Sequence, residues 1–172
     1  AVVGALLILT GALFAQSAAQ RNRSRPFGPG RCGPADPVYL KGARETGGQP
    51  FFLSPSEVGS RAHIMRGTSA SDSTRILWAT DGNGARDFSL PVDGTIKRLT
   101  ISASFDGTGG QLTIVSPDGN PVSGDGRIQD TVLSCVRIVT VPEPRAGLWR
   151  VTTAPSERFW LVAHARSDLD IE

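Results

Sequence analysis

The sequence predicts a mainly β protein: an antiparallel β-sandwich preceded by a short helix–strand–helix segment. Three observations predict it. Apolar and polar residues alternate through most of the chain after Ser73, and turn dipeptides recur between the alternating runs. The composition sets 20 Gly and 12 Pro against one Tyr and one Met, which favours many turns and short elements. The third observation is length: 172 residues suffice for one domain with a real core and are too few for two ordinary ones. A chain that is 39% hydrophobic and 20% charged is globular rather than disordered.

Residues 1–15 (AVVGALLILTGALFA) carry no charge. The run is shorter than the roughly 20 residues a bilayer span needs. Ser17 and Ala19 follow it in a small-x-small pattern, so residues 1–19 read as a signal peptide cleaved after Ala19. No Met opens the sequence and no basic segment precedes the run, so N-terminal residues are expected to be missing. Residues 20–37 have no hydrophobic period and read as a Pro/Arg-rich linker. Arg21, Arg23, Arg25 and Arg31 give residues 1–36 a net charge of +3, whereas the remaining 14 basic and 15 acidic groups nearly cancel. The pI of 8.9 therefore reflects a basic segment, and no nucleic-acid partner is expected.

Residues 38–68 should form the helix–strand–helix segment. A helical pattern over 38–45 stops at Gly47-Gly48, where a left-handed residue can end it. Residues 49–53 (QPFFL) read as a brief strand. Ser54-Pro55-Ser56-Glu57 then carries a capping box, with Pro55 suited to the first helical position. The helix it starts should reach about Arg66, with Val58, Ala62 and Met65 at helical spacing. The sandwich is expected over residues 69–172, with seven strands at 74–80, 86–92, 96–105, 111–115, 132–141, 148–153 and 158–165. In the third of these, Leu99, Ile101, Ala103 and Phe105 share one face and Arg98, Thr100, Ser102 and Ser104 the other.

Two cysteines in an exported chain favour one bridge, Cys32 to Cys135. Neither lies in a Cys-x-x-Cys or Cys/His cluster, so zinc and thiol redox chemistry lack a motif. His63 and His164 have no patterned partner, and the sequence holds no nucleophile elbow, zinc-protease or phosphate-loop signature. No catalytic or metal residues are assigned. Asp-Gly pairs occur at Asp81, Asp93, Asp106, Asp118 and Asp125. Such loops can offer oxygen ligands to calcium, but Asp-Gly is also the preferred chemistry of tight turns, and that reading is adopted.

The pieces GARETGGQPFFLSPSEV (42–58), FSLPVDGTIKRLTISAS (88–104), LTIVSPDGNPV (112–122), VTVPEPRAGLWRV (139–151) and FWLVAHARSDLDI (159–171) carry a resemblance. The first resembles the closing segment of the von Willebrand A domain in hemicentin-like proteins. The others resemble the galactose-binding-like β-sandwich that follows that domain. The resemblance implies a jelly-roll type sandwich from extracellular adhesion proteins and places Trp149 at a core position. It does not carry over the metal-dependent A-domain site, because Asp72-Ser73-Thr74 lacks the Asp-x-Ser-x-Ser spacing.

An exported, non-enzymatic module that recognises a glycan or protein at the cell surface is the expected function. A sugar would need an aromatic platform and polar loop groups. The residues offered for that role are Trp78 and Trp160 with Asp81, Asn83 and Asp106. The alternative is a structural or assembly subunit that pairs through an edge strand or the N-terminal tail. No membrane span is expected after signal cleavage, and the sequence does not set an oligomeric state. If the peptidase site is read correctly, mass spectrometry of the secreted protein will find Gln20 at its N-terminus. Recovery of residues 1–15 intact on secreted material would refute the assignment.

Overall fold

Leu99, Ile101, Ala103 and Phe105 alternate along the longest strand, all at most 2% exposed, and the main core is assembled on them. The computed structural model describes residue 32 and residues 36–68, 72–80, 85–107, 110–124, 126–154 and 158–168. Within residues 61–67 it describes the side chains of Ala62, Ile64 and Met65. Residues 1–31, which hold the expected signal peptide and most of the linker, lie outside it.

The described strands are β1 (Thr74–Thr80), β2 (Arg86–Val92), β3 (Ile96–Asp106), β4 (Leu112–Val115), β5 (Gln129–Val132), β6 (Val136–Pro142), β7 (Gly147–Thr153) and β8 (Arg158–Ser167). They make a five-stranded sheet, β1-β8-β3-β6-β5, and a three-stranded sheet, β2-β7-β4. Every strand pair is antiparallel. The two sheets face each other across the core, where Leu90, Ile114, Trp149 and Val151 meet Leu99, Val139, Phe159 and Leu161. Trp149 is 2% exposed, and its indole N–H donates to the Arg145 carbonyl at 2.9 Å. A buried indole needs such a partner.

The other face of the five-stranded sheet is also buried. Helix α1 (Pro37–Thr46) starts at Asp36, whose carboxylate accepts from the Val38 N–H, and stops at Gly47 with φ 66°. Residues 49–53 then cross the hydroxyl face of β3. Gln49 Nε2 donates to the carbonyls of Ser102 and Trp160 at 3.2 Å, and Ser102 Oγ donates to Gln49 Oε1 at 2.7 Å. The Phe52 N–H donates to Ser104 Oγ at 3.1 Å. A 3-10 turn (Pro55–Ser60) leads into helix α2 (Arg61–Thr68), whose Ile64 packs on Val136 and Ile138. Cys32 and Cys135 are bridged, with Cα atoms 6.1 Å apart, and join Phe52 and Trp160 in a second cluster. A bridge across 103 residues of sequence removes roughly 4–5 kcal/mol of unfolded-chain entropy in the loop-closure treatment.

Three expectations are corrected. Residues 49–53 are extended but join no sheet, because their polar groups bond to β3 side chains and carbonyls from above. The single strand expected over 132–141 is instead part of a hairpin. β5 and β6 pair from Gln129↔Thr140 to Val132↔Arg137, with a tight turn at Leu133, Ser134 and Cys135, so the described strands number eight. Among the described side chains of α2, Ile64 is buried and Met65 is 63% exposed, and Val58 in the preceding turn is 46% exposed. The 3-10 turn carries fewer residues per turn than an α-helix and so shifts the phase of the apolar face.

Trp149→Ala would empty a site at the centre of the core and is expected to lower stability by about 3–5 kcal/mol. Thermal melting reads the loss directly, and a variant that melts with the wild type would remove Trp149 from the core.

Candidate functional site

Where β3 ends, the chain turns back over its own Phe105 ring. Only glycine fits at position 110, since a Cβ there would lie 2.2 Å from the Phe105 ring. Beyond Gly110, residues Gln111, Leu112 and Thr113 enter β4, and they face the β5–β6 turn across a cleft of about 270 Å3. Val132, Leu133, Ser134, Cys135, Val136 and Arg137 form the opposite wall. The cleft thus lies between an edge of the small sheet and the β5 end of the large one. Its floor is apolar, with Phe105, Leu112 and Val136 all buried, and Val132 at its lip is 67% exposed.

Two charged residues hold these walls. Glu57, on the 3-10 turn, accepts the Ser54 N–H on Oε2 at 2.9 Å, the glutamate half of the expected capping box, while the Glu57 N–H donates to the Ser54 carbonyl and the Ser54 hydroxyl pairs with that of Ser56. Its Oε1 accepts both the N–H and the hydroxyl of Ser134, at 2.6 and 2.7 Å. Burial pushes this carboxyl up, but the bonds from Ser54 and Ser134 outweigh it and bring its pKa down to about 2. Arg137 makes the second clamp. Its Nε and Nη2 grip the Asp130 carboxylate at 3.1 and 2.7 Å, while Nη1 donates to the Leu112 carbonyl and Nη2 to that of Val122. One guanidinium therefore neutralises a neighbour and ties the two sheets together at their open edge. The resulting recess is clamped at both walls, with Arg137 paired to Asp130, and is polar at its rim.

Such a recess can hold a ligand. Ser134 and Glu57 have the contact of a nucleophile and its base. A carboxylate with a pKa near 2, however, is a weak proton acceptor at neutral pH.

The family described as hemicentin galactose-binding domain-like matches residues 74–168, which is more than half of the chain. The chain belongs to this family. In this galactose-binding-like domain the eight strands from β1 to β8 fall within the matched residues, and the covering segment 36–68 precedes them. The family suggests a binding module, and together with the bridge it suggests an extracellular setting. Among solved structures, the chain is similar to Bacillus licheniformis lipase BlEst2 in its propeptide form, at 18% identity and TM-score 0.46. That similarity covers 59% of this chain and about a quarter (24%) of the lipase chain. A search of curated proteins found no match.

The residues offered by the sequence for ligand binding do not converge on this domain's cleft. Asp106 is 6% exposed, and its carboxylate accepts from Arg158 Nη2 at 2.6 Å. Trp160 is 4% exposed and packs on Phe52, ring centroids 5.1 Å apart, so it presents no face to a sugar. Trp78 is 38% exposed on β1, at the sheet edge opposite β5. Asp81 and Asn83 lie outside the described residues. Of the Asp-Gly pairs, Asp93 accepts from Thr95, whose hydroxyl and N–H lower its pKa, and Asp118 pairs with Arg145, while Asp81 and Asp125 lie outside the described residues. Among the described residues no three acidic, histidine or cysteine side chains gather as a metal site, and no helix there is long and apolar enough to cross a membrane. Sequence reasoning missed Gln111, Thr113, Val132 and Arg137. The available signal was Arg137, a lone charge inside an apolar run.

Glu57→Gln keeps the shape but cannot accept all three hydrogen bonds, and is expected to lose about 1.5–3 kcal/mol at neutral pH. Because the folded pKa of Glu57 is depressed, its contribution is complete above the ordinary carboxyl range and is lost as pH falls towards about 2. The stability gap between wild type and Glu57→Gln should therefore narrow between about pH 5 and pH 2. A pH-independent gap in chemical denaturation would contradict the role given to the carboxylate.

Proposed function

We propose that the protein is an exported, non-enzymatic binding module that recognises a glycan or an extracellular protein through the cleft between β4 and the β5–β6 turn. The observation that carries this reading is the double clamp. Glu57 and Arg137, together with the Cys32–Cys135 bridge, hold the turn and the sheet edge in one geometry, which lowers the entropy lost when a ligand docks. The apolar floor and the amide and hydroxyl groups of Gln111, Thr113 and Ser134 suit a neutral ligand with both an apolar face and hydrogen-bonding groups. Signal cleavage after Ala19 and the Cys32–Cys135 bridge supply the secreted or cell-surface setting, and calcium is given no part in recognition.

The test is a screen of the full chain against glycan and extracellular-protein arrays, repeated with Gln111→Ala combined with Val132→Ser. Retained melting temperature with at least about tenfold weaker binding is the expected result. Undiminished binding in the variant would exclude the cleft. A second reading, assembly through an edge strand, draws on β1, where Ile76 and Trp78 are each 38% exposed on an edge of the large sheet. It requires oligomers without any ligand, abolished by Trp78→Lys, in sedimentation experiments.

A further inference from the structure

Arg98 on β3 and Arg166 on β8 are direct cross-strand partners. They lie on the outer face of the five-stranded sheet, on the same side as Thr100, Ser102 and Ser104, beyond the end that residues 49–53 cover. One rung further in, Arg75 of β1, His164 of β8 and Thr100 of β3 are in register across three strands. Like charges placed directly opposite each other destabilise an antiparallel pair. The arrangement is unusual for this molecule, whose other strand arginines of the large sheet are matched. Arg137 grips Asp130, and Arg158 grips Asp106. Among the described residues Arg166 pairs with Asp72 at 2.7 Å, and Arg75 donates to the Gly47 carbonyl at 2.7 Å. Arg98 is exposed and has no ionic or hydrogen-bonded partner among the described residues.

His164 reports the same surplus. Its Nδ1 is buried without a hydrogen-bond partner. Burial and then the Arg75 guanidinium hold its pKa below the ordinary value of 6.5, so the imidazole stays neutral at neutral pH.

We propose that Arg98, Arg166 and Arg75 form an anion-binding row on the outer face of the large sheet, and that its ligand is an acidic polysaccharide carrying sulfate or carboxylate groups. This rests on the reading of the chain as an extracellular binding module but uses a face separate from the cleft. Adjacent strands stand about 4.8 Å apart and alternate residues about 6.8 Å, so the cations are spread along a line. A linear polymer with regularly spaced anions can meet them in turn, where a single small anion meets one. Guanidinium groups suit both sulfate and carboxylate through paired N–H donors.

The experiment compares binding of the full chain to a sulfated oligosaccharide and to its desulfated, uncharged counterpart, at low and high salt. The sulfated form should bind, and binding should weaken as salt rises. Arg98→Ala should weaken it about tenfold while leaving melting unchanged or raising it, since a like-charge contact is removed. Asp72→Asn, which removes the carboxylate paired with Arg166, should strengthen binding, an effect that general damage to the fold would not produce. Unchanged binding in Arg98→Ala or weaker binding in Asp72→Asn would overturn the proposal. So would equal, Arg98-dependent binding to phosphatidylserine vesicles or to a DNA duplex. The cleft variant Gln111→Ala with Val132→Ser should leave sulfated-oligosaccharide binding intact, so failure of the cleft and failure of the arginine row are read separately.

Discussion

Ser102 and Ser104 place hydroxyl groups on a sheet face that is sealed from water, both at 0% exposure, and the segment before the sandwich is built around that constraint. A buried hydroxyl left without a partner costs about 1–3 kcal/mol. Gln49 and the Phe52 N–H satisfy these groups from above, which holds residues 49–53 over the centre of the sheet instead of at its edge. Phe52 and Trp160 add apolar contact at the same place, and the bridge to Cys135 ties the approach of the chain to the far end of β6. The five-stranded sheet is thus an inner layer, with the small sheet on one side and residues 36–68 on the other. This explains why β3 is buried at nearly every position even though its sequence alternates apolar and hydroxyl residues.

The cover also builds the cleft. Glu57 begins as a local helix-capping residue, yet its second oxygen reaches the β5–β6 turn 77 positions away in sequence. Capping alone uses one carboxylate oxygen, so the other is available to a distant donor at no further loss of hydration for the group. The turn it holds is also tied by the Cys32–Cys135 bridge. Val132 is exposed and Ser134 faces solvent, and the nearest backbone links are Leu133 N–H to Val136 and Phe105 N–H to the Cys135 carbonyl. Arg137 performs the matching task from inside the hairpin by reaching across to β4. Covering segment, turn and small-sheet edge therefore share one network, and loosening any member would change the width of the cleft.

The strands were readable where alternation and turns coincide, as in residues 74–80 and 86–92, which match β1 and β2 end to end. The capping box and the bridge were readable too, because each rests on residue type at short spacing or on an even cysteine count. What sequence pattern could not reveal was contact between distant residues. The run 132–141 is apolar enough for one strand, and only the Glu57–Ser134 contact and the Cys135 bridge break it into a turn and a strand. Trp160 and Asp106 carry side chains a sugar site would use, but pairing with Phe52 and Arg158 turns both inward. A polar or aromatic residue within a strand does not declare its face until the second cover is known.

The outer face of the large sheet is divided along its length. At the end near the β5–β6 turn, each polar group is met by a partner from residues 49–57, and folding accounts for what is there. At the other end, Arg98 and Arg166 oppose each other, and among the described residues Asp72 pairs with Arg166. Strand propensity does not call for arginine at these positions, and the core does not touch them. Replacing either by threonine would suit a strand and relieve repulsion. Where local rules are broken with no gain in packing, the compensation is sought outside the folded chain, in something the surface binds. A polyanion meeting both guanidiniums would turn a like-charge cross-strand pair into a bridged one, and folding and recognition would then use opposite ends of a single sheet face.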